Sequence, residues 1–112
     1  MLIGQEITVI GGGIGGLAAA LALAQRGAAV TVLEQAPEIA EVGAGLQVSP
    51  NGWRVLQALG VAEAVAARSP RSRAVRLRDF RRGAAVFTMP LDPAAAPWHL
   101  VHRADLVAVL AQ

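Results

Sequence analysis

The sequence predicts an α/β fold organised around one βαβ unit, with additional helices and an antiparallel β-hairpin, in a domain that is incomplete. Three observations carry this expectation. An apolar, β-branched run from Ile7 to Ile10 leads directly into glycines and then into a long apolar stretch of helical composition. A second apolar run, Ala29 to Leu33, follows Gly27 and ends on an acid. Between Arg73 and Met89 apolar and polar residues alternate around a central turn.

The first element is a short buried strand, Ile7 to Ile10, followed by Gly11, Gly13 and Gly16 in GxGxxG spacing. In such a unit the first glycine permits the tight strand-to-helix turn. The second lets backbone approach a pyrophosphate, and the third lets the helix pack close to the strand. The helix begins at Ile14 and runs to Gln25, and its free N-terminal N–H groups and macrodipole favour a phosphate there. Ala20 is small enough for a close crossing of the sheet, and Gly27 stops the helix after Arg26. Glu34 ends the second strand, 18 residues after Gly16. A carboxylate there accepts hydrogen bonds from an adenosine ribose and repels a 2′-phosphate. The unit, residues 6–35, is therefore read as Rossmann-like and as a site for the ADP half of FAD or NAD, with NADP disfavoured.

Bulk properties set bounds. A chain of 112 residues has the length of one domain, and such a domain buries roughly 60 to 70% of its unfolded surface. Two strands do not make a covered parallel sheet, and a helix apolar all round is expected to be buried on more than one side. The chain therefore reads as part of a larger protein, and its mean hydropathy of +0.49 predicts association when it is exposed alone. The absence of cysteine excludes disulfides and thiolate chemistry and fits a cytoplasmic address. The uncharged window Ile7 to Gln25 contains five glycines and lacks a preceding basic region, so neither a membrane span nor a secretory signal is expected. The net charge of +2 does not by itself indicate nucleic acid.

Ala36 to Val42 is a connection, and Gly43-Ala44-Gly45 is a second flexible turn. Its glycines fit equally a close approach to a ligand or a loop needing positive φ. Leu46 to Val48 is extended. Ser49 and Pro50 then form an N-cap and N1 pair for a helix reaching about Leu59, with Gly60 as its stop. Val55, Leu56 and Leu59 make its apolar stripe, and Trp53 is assigned to core packing over stacking on a ligand ring. Ala62 to Arg68 adds a short helix closed by Ser69-Pro70.

The hairpin, residues 73–89, turns at Arg81-Arg82-Gly83 and is expected to be half buried, with Val75 and Leu77 opposite Arg76 and Arg78. Seven of the ten arginines lie between Arg68 and Arg82. No aromatic platform accompanies them, so a solvated face, or one paired with acids elsewhere, is expected in place of nucleic-acid binding. Pro90 to Pro97 is an extended connection, and Trp98 to His102 a short apolar approach. Arg103 opens a last helix whose stripe is Leu106, Val109 and Leu110. An arginine opposes the dipole at a helix start, so either an anion draws it there or Asp105 compensates it. His99 and His102 have no metal-ligand spacing and are read as structural.

Taken together, VIGGGIGGLAAALALAQRGAAVTVLEQ, EVGAGLQVSPNGWRVLQALG and HLVHRADLVAVL resemble the N-terminal third of the flavoprotein aromatic hydroxylases, the single-component FAD-dependent monooxygenases of the salicylate and hydroxybenzoate hydroxylase type. The resemblance extends over nearly all of the chain and selects FAD over NAD. It implies that Gly11, Gly13, Ile14 and Gly16 hold the pyrophosphate and Glu34 the ribose. Gln35 stands where the family often has arginine, which weakens an adenosine contact. Gly43 to Gly45 would lie near the flavin, and Arg103 would reach back to the cofactor.

The activity implied is hydroxylation of a small phenolic substrate by O₂ through a flavin C4a-hydroperoxide, with NADPH or NADH as reductant. The family's later Asp-Gly and Gly-Asp motifs are absent from these residues, and no catalytic residue is assigned. The chain alone is expected to be inactive. The hairpin is expected to adjoin a substrate domain outside the chain. Alternatives are another FAD-dependent oxidoreductase (an epoxidase, halogenase or reductase) or a non-catalytic FAD-binding fragment that needs a second copy or a complementing chain.

Overall fold

A computed structural model of the chain describes residues 1–38, 44–92 and 97–112. The first unit is β1 (Glu6–Ile10), α1 (Ile14–Gln25) and β2 (Ala29–Leu33), with helix and second strand bounded as the sequence predicts. The two strands pair in parallel, Glu6 opposite Ala29 through Ile10 opposite Leu33. Ile7, Val9, Val30 and Val32 are half-buried, whereas Glu6, Thr8, Ile10, Ala29, Thr31 and Leu33 form an open face. Gly11 has φ +108°, and its N–H donates to the Leu33 carbonyl at 2.7 Å, closing the turn over the end of β2. Gly27, at φ +96°, ends α1 by donating to Ala24 O at 2.9 Å.

A second layer gathers the remaining helices. It contains β3 (Gly45–Val48), α2 (Pro50–Ala58), α3 (Ala62–Ala66), β6 (His99–His102) and α4 (Arg103–Leu110), between which lie β4 (Ala74–Arg78) and β5 (Ala85–Pro90). β3 and β6 pair antiparallel, Gly45 opposite His102 and Val48 opposite His99. The expected approach Trp98 to His102 thus contains a strand. Residues 70–72 lie along β6: Leu100 N–H donates to Pro70 O at 3.0 Å and Ser72 N–H to Trp98 O at 2.6 Å.

The core joins α1 to this layer through Leu17, Leu56, Leu59, Val65, Val101, Leu106 and Val107, with Ile14, Ala18 and Leu46 packed at its edge. Trp53 is buried and stacks on His99, ring centroids 4.1 Å apart and ring planes nearly parallel. The Ser69 hydroxyl donates to Val65 O at 2.8 Å, so across the 3.1 Å contact His99 Nδ1 is the donor to Ser69 Oγ. Both aromatic residues therefore serve packing, as expected. Gln25 Nε2 donates to Leu59 O at 2.6 Å and ties the end of α1 to the end of α2.

Three expectations are corrected. Val55 is 54% exposed, so the buried stripe of α2 is Trp53, Leu56 and Leu59. Ser49 occupies the N-cap position, but its hydroxyl bonds the Asn51 side chain and no helix N–H. As expected, α1 is packed on more than one side, against β1–β2 and against α4, although Ala19 and Ala24 face outward. The hairpin β4–β5 is almost wholly exposed, including Leu77 and Phe87, because among the described residues its strands pack chiefly on one another. This open arrangement gives a radius of gyration of 17.2 Å, against about 13 Å for a compact domain of this length. Among the described residues no helix is long and apolar enough to cross a membrane.

The crossing of α1 over β1 rests on one hydrogen atom. A Cβ on Gly16 would lie 1.9 Å from the Gly11 carbonyl oxygen, whereas one on Gly15 meets nothing within 4 Å. Gly16→Ala is expected to destabilise the chain by about 2–3 kcal/mol through overpacking. Gly15→Ala should raise stability by up to about 1 kcal/mol through helix propensity. Chemical denaturation of the two variants beside the parent chain measures the contrast, and equal stabilities would disprove it.

Candidate functional site

The end of the parallel pair brings together most of the residues singled out in the sequence. β1 delivers the chain to Gly11, whose positive φ reverses it into α1. Gly13 is the N-cap in extended conformation, and its carbonyl accepts from Leu17 N–H at 2.9 Å. Among the described residues no side chain caps this helix, and no acid lies in its first turn. The N–H groups of Ile14, Gly15 and Gly16 therefore have no acceptor supplied by the helix itself, which suits an anion at that end. The Ile14 side chain points the other way, into an apolar cavity of about 360 Å³ shared with Leu46, Leu106 and Leu110. Only its backbone belongs to the loop.

Glu34 follows β2 and turns back onto this loop. Its Oε2 accepts from Gly12 N–H at 2.6 Å, and its Oε1 from Ala36 N–H at 3.2 Å. The Gly12 N–H, then that of Ala36, holds the Glu34 carboxyl below the usual carboxylate range; limited burial works against them, and the Gln35 N–H adds a smaller effect in their direction. The Gln35 side chain is exposed beside it.

Gly12 is the loop residue that the GxGxxG spacing passes over. It is buried, and a Cβ there would stand 3.1 Å from Glu34 Oε2 and 3.2 Å from Glu34 Cβ. The signal was present in the run of three glycines: with Ile10 opposite Leu33, the parallel register carries the next residues of both chains toward each other.

The other two residues, Gly45 and Arg103, meet at one end of the β3–β6 pair. Gly45 lies opposite His102, and Arg103 N–H donates to Ala44 O at 2.9 Å. The expected turn at Gly43-Ala44-Gly45 is corrected at Gly45. This residue opens β3 without positive φ, and a Cβ there would meet nothing within 4 Å, so neither strain nor crowding in this chain demands glycine. Gly43 lies outside the described residues. Arg103 is half-buried and precedes Leu106 by three residues, sharing the helix face on which Leu106 and Leu110 approach Ile14. Ile14 at the start of α1 thus lies beside Leu106 and Leu110 of α4. Among the described residues no group of three or more His, Cys, Asp or Glu could hold a metal ion.

Known proteins match this arrangement. A family model described as FAD dependent oxidoreductase matches residues 6–49. The chain is 44% identical over 106 residues to a 3-amino-4-hydroxybenzoate 2-monooxygenase of Streptomyces cremeus, covering 90% of this chain and 27% of that protein. It is 44% identical over 105 residues to a 3-hydroxybenzoate 6-hydroxylase of Polaromonas naphthalenivorans (strain CJ2), covering 89% and 26%. Among solved structures, 2-methyl-3-hydroxypyridine-5-carboxylic acid oxygenase in its tetrameric form superposes with TM-score 0.84 at 31% identity over 96% of this chain and 28% of that one. Klebsiella pneumoniae HpxO, complexed with FAD and uric acid, superposes with TM-score 0.78 at 32% identity over 98% and 28%. The chain thus resembles the N-terminal portion of FAD-dependent aromatic monooxygenases and spans about a quarter of the length of the curated relatives it matches.

The Glu34–Gly12 bond has a pH signature. A carboxyl whose folded value lies below its unfolded value adds stability that is complete above the unfolded value and is lost as pH falls through the folded one. Glu34→Gln is therefore expected to be less stable than the parent at pH 7, with the difference vanishing in acid below the lowered Glu34 value. Denaturation at a series of pH values tests this; a difference that does not change with pH would show that the charge is not responsible.

Proposed function

We propose that this chain forms the FAD-holding face of an NAD(P)H-dependent monooxygenase that hydroxylates an aromatic acid, and that it binds the ADP half of the cofactor at the Gly11–Gly16 loop. The Glu34–Gly12 bond carries the reading. It fixes a carboxylate at the end of β2, where a ribose is recognised, directly beside a helix start with no side-chain cap. The loop also depends on glycine for its own close packing: a Cβ at Gly12 would crowd Glu34, and one at Gly16 would clash with the Gly11 carbonyl oxygen. In this reading the N–H groups at the start of α1 take the pyrophosphate, Glu34 accepts from the ribose hydroxyls, and Gln35 borders the adenosine. Arg103 supplies a cation from the start of α4, and Gly45 leaves room for the flavin end.

Bound FAD supplies the redox and oxygen-transfer chemistry. The residues of this chain bind and orient it. None of them is assigned a proton-transfer role, and the chain by itself is proposed to be inactive. The names of the relatives, hydroxybenzoate and pyridine-carboxylate oxygenases, support a small aromatic carboxylic acid as substrate with O₂. The hairpin at 73–89 is proposed to border the substrate part of the complete enzyme. The open face of β1–β2, with Ile10 86% exposed, is proposed to be covered by further polypeptide, a second copy or a complementing chain. The cysteine-free composition supports a cytoplasmic location. The nucleotide site requires neither membrane nor nucleic acid.

Two measurements test the proposal. Titration of the chain should show ADP binding more tightly than its 2′-phosphorylated form by about tenfold, a preference that Glu34→Gln abolishes by removing the repelling charge. Equal affinity of the parent chain for both nucleotides would remove the role of Glu34. In a polypeptide containing the whole enzyme, hydroxybenzoates should accelerate NAD(P)H oxidation, and a panel without effect would refute the activity.

A further inference from the structure

Asn51 is the only asparagine in the chain, and Gly52 follows it. The pair stands in the first turn of α2, directly after Pro50. The Asn51 side chain is exposed and contributes nothing to the buried stripe of this helix. Three local features bear on its chemistry. The Ser49 hydroxyl donates to Asn51 Oδ1, and a donor on a carbonyl oxygen stabilises the negative charge that builds there when the carbon is attacked. The first helical bond of α2 runs from Trp53 N–H to Ser49 O at 2.9 Å, so the Gly52 N–H precedes the ladder and has no acceptor within the helix. Glycine, finally, sets no side chain between its own nitrogen and the neighbouring amide, and it gives the backbone freedom to turn toward that amide.

A regular helix holds the Gly52 nitrogen away from the Asn51 Cγ. The first turn is where that restraint is weakest, because helix ends open at a small fraction of the global unfolding free energy. Ser49 does not oppose the opening, since its hydroxyl bonds no helix N–H. We propose that Asn51 is a self-modifying site, which deamidates in the folded chain through a cyclic imide formed with Gly52. The Gly52 nitrogen attacks Cγ as its proton is lost to solvent base. The N–Cγ bond forms and the Cγ–Nδ2 bond breaks, the side-chain nitrogen taking up a proton and leaving as ammonia. Water then opens the imide. Addition at Cγ gives aspartate, and addition at the backbone carbonyl carbon gives isoaspartate, whose main chain runs through the former side chain. Nothing is oxidised or reduced, and water is the only co-reactant.

Either product alters a wall of the molecule, because Asn51 and Gly52 line the apolar cavity into which Ile14 points. Aspartate places a carboxylate at the rim of that cavity, in a helix turn that favours negative charge. Isoaspartate lengthens the backbone just before Trp53, which is buried in the core.

The test is incubation of the purified chain in native buffer and in concentrated urea, followed by intact mass, peptide mapping and enzymatic quantification of isoaspartate. Conversion is expected at Asn51, to both products, at a native rate within about tenfold of the rate in urea. It should quicken as pH rises, because the attacking nitrogen must lose its proton. Gly52→Ala, whose Cβ would stand 3.4 Å from Val48 Cγ1, should slow conversion by roughly tenfold. Ser49→Ala, which removes the donor on Oδ1 without uncapping the helix, should slow it by roughly threefold. Circular dichroism of each variant confirms that the fold persists. A native chain that keeps its amide while the urea-unfolded chain loses it would overturn the proposal. So would a rate independent of pH, or one that neither substitution slows.

Discussion

The contact on which the rest of the chain depends is the approach of α1 to β1 at Gly16. With only 1.9 Å between a notional Cβ and the Gly11 carbonyl oxygen, the helix sits as close to the strand as a peptide backbone allows. That distance brings the start of α1 beside the end of β2, where Glu34 can reach the Gly12 N–H. It also points Ile14, Leu17 and Ala18 away from the sheet and into the core shared with α2 and α4. A larger residue at Gly16 would tilt the helix, so the anion-facing end and the helical core are fixed by the same approach. Fold and site are one geometric problem here.

What could be read from the sequence follows the range of the forces involved. The bounds of α1 and β2, the stops at Gly27 and Gly60 and the start of α2 at Pro50 are decided within a few residues by φ, capping and periodicity, and they were legible. Gly16 and Glu34 were legible because a βαβ unit constrains its own crossing. Burial was less so. Val55 follows the helical stripe and yet faces outward, and the hairpin alternates as a half-buried pair should while remaining exposed. Alternation reports which residues share a face, not whether anything covers that face. The turn expected at Gly45 failed for a related reason: glycine allows a turn without requiring one, and pairing with His102 makes it a strand residue. Gly12 was missed because a spacing rule assigns roles to three glycines and ignores the one whose N–H meets the carboxylate.

The distribution of apolar surface explains the extended shape. The helical layer closes around Val65 and Val107, which are essentially inaccessible, while Ile10 and Leu33 on the outer face of β1–β2 and Leu77 and Phe87 on the hairpin stay in solvent. A parallel pair with one open face is unusual, because such sheets are covered on both sides. The chain spans about a quarter of the relatives it matches, and under the proposed function these surfaces are the ones that further polypeptide would cover. The core itself is complete enough to hold the nucleotide loop, which is built from residues 6–36 and needs neither open face for its geometry.

Charge is segregated with equal consequence. The carboxylate at the loop is Glu34, held ionised by backbone N–H groups that also orient it, so it can accept from hydroxyls and resist a further phosphate. The arginines cluster from Arg68 to Arg82, where Asp79 is the only acid. In the proposed reading the loop takes a pyrophosphate through backbone dipoles and needs no lysine or arginine of its own. Backbone amides ordered by glycine suit a ligand that stays bound, because little side-chain entropy is lost in holding it. The arginines instead are long, exposed side chains whose mobility limits the affinity they can confer, so the two regions differ in kind: ordered backbone dipoles beside a fixed carboxylate in one, mobile cations in the other.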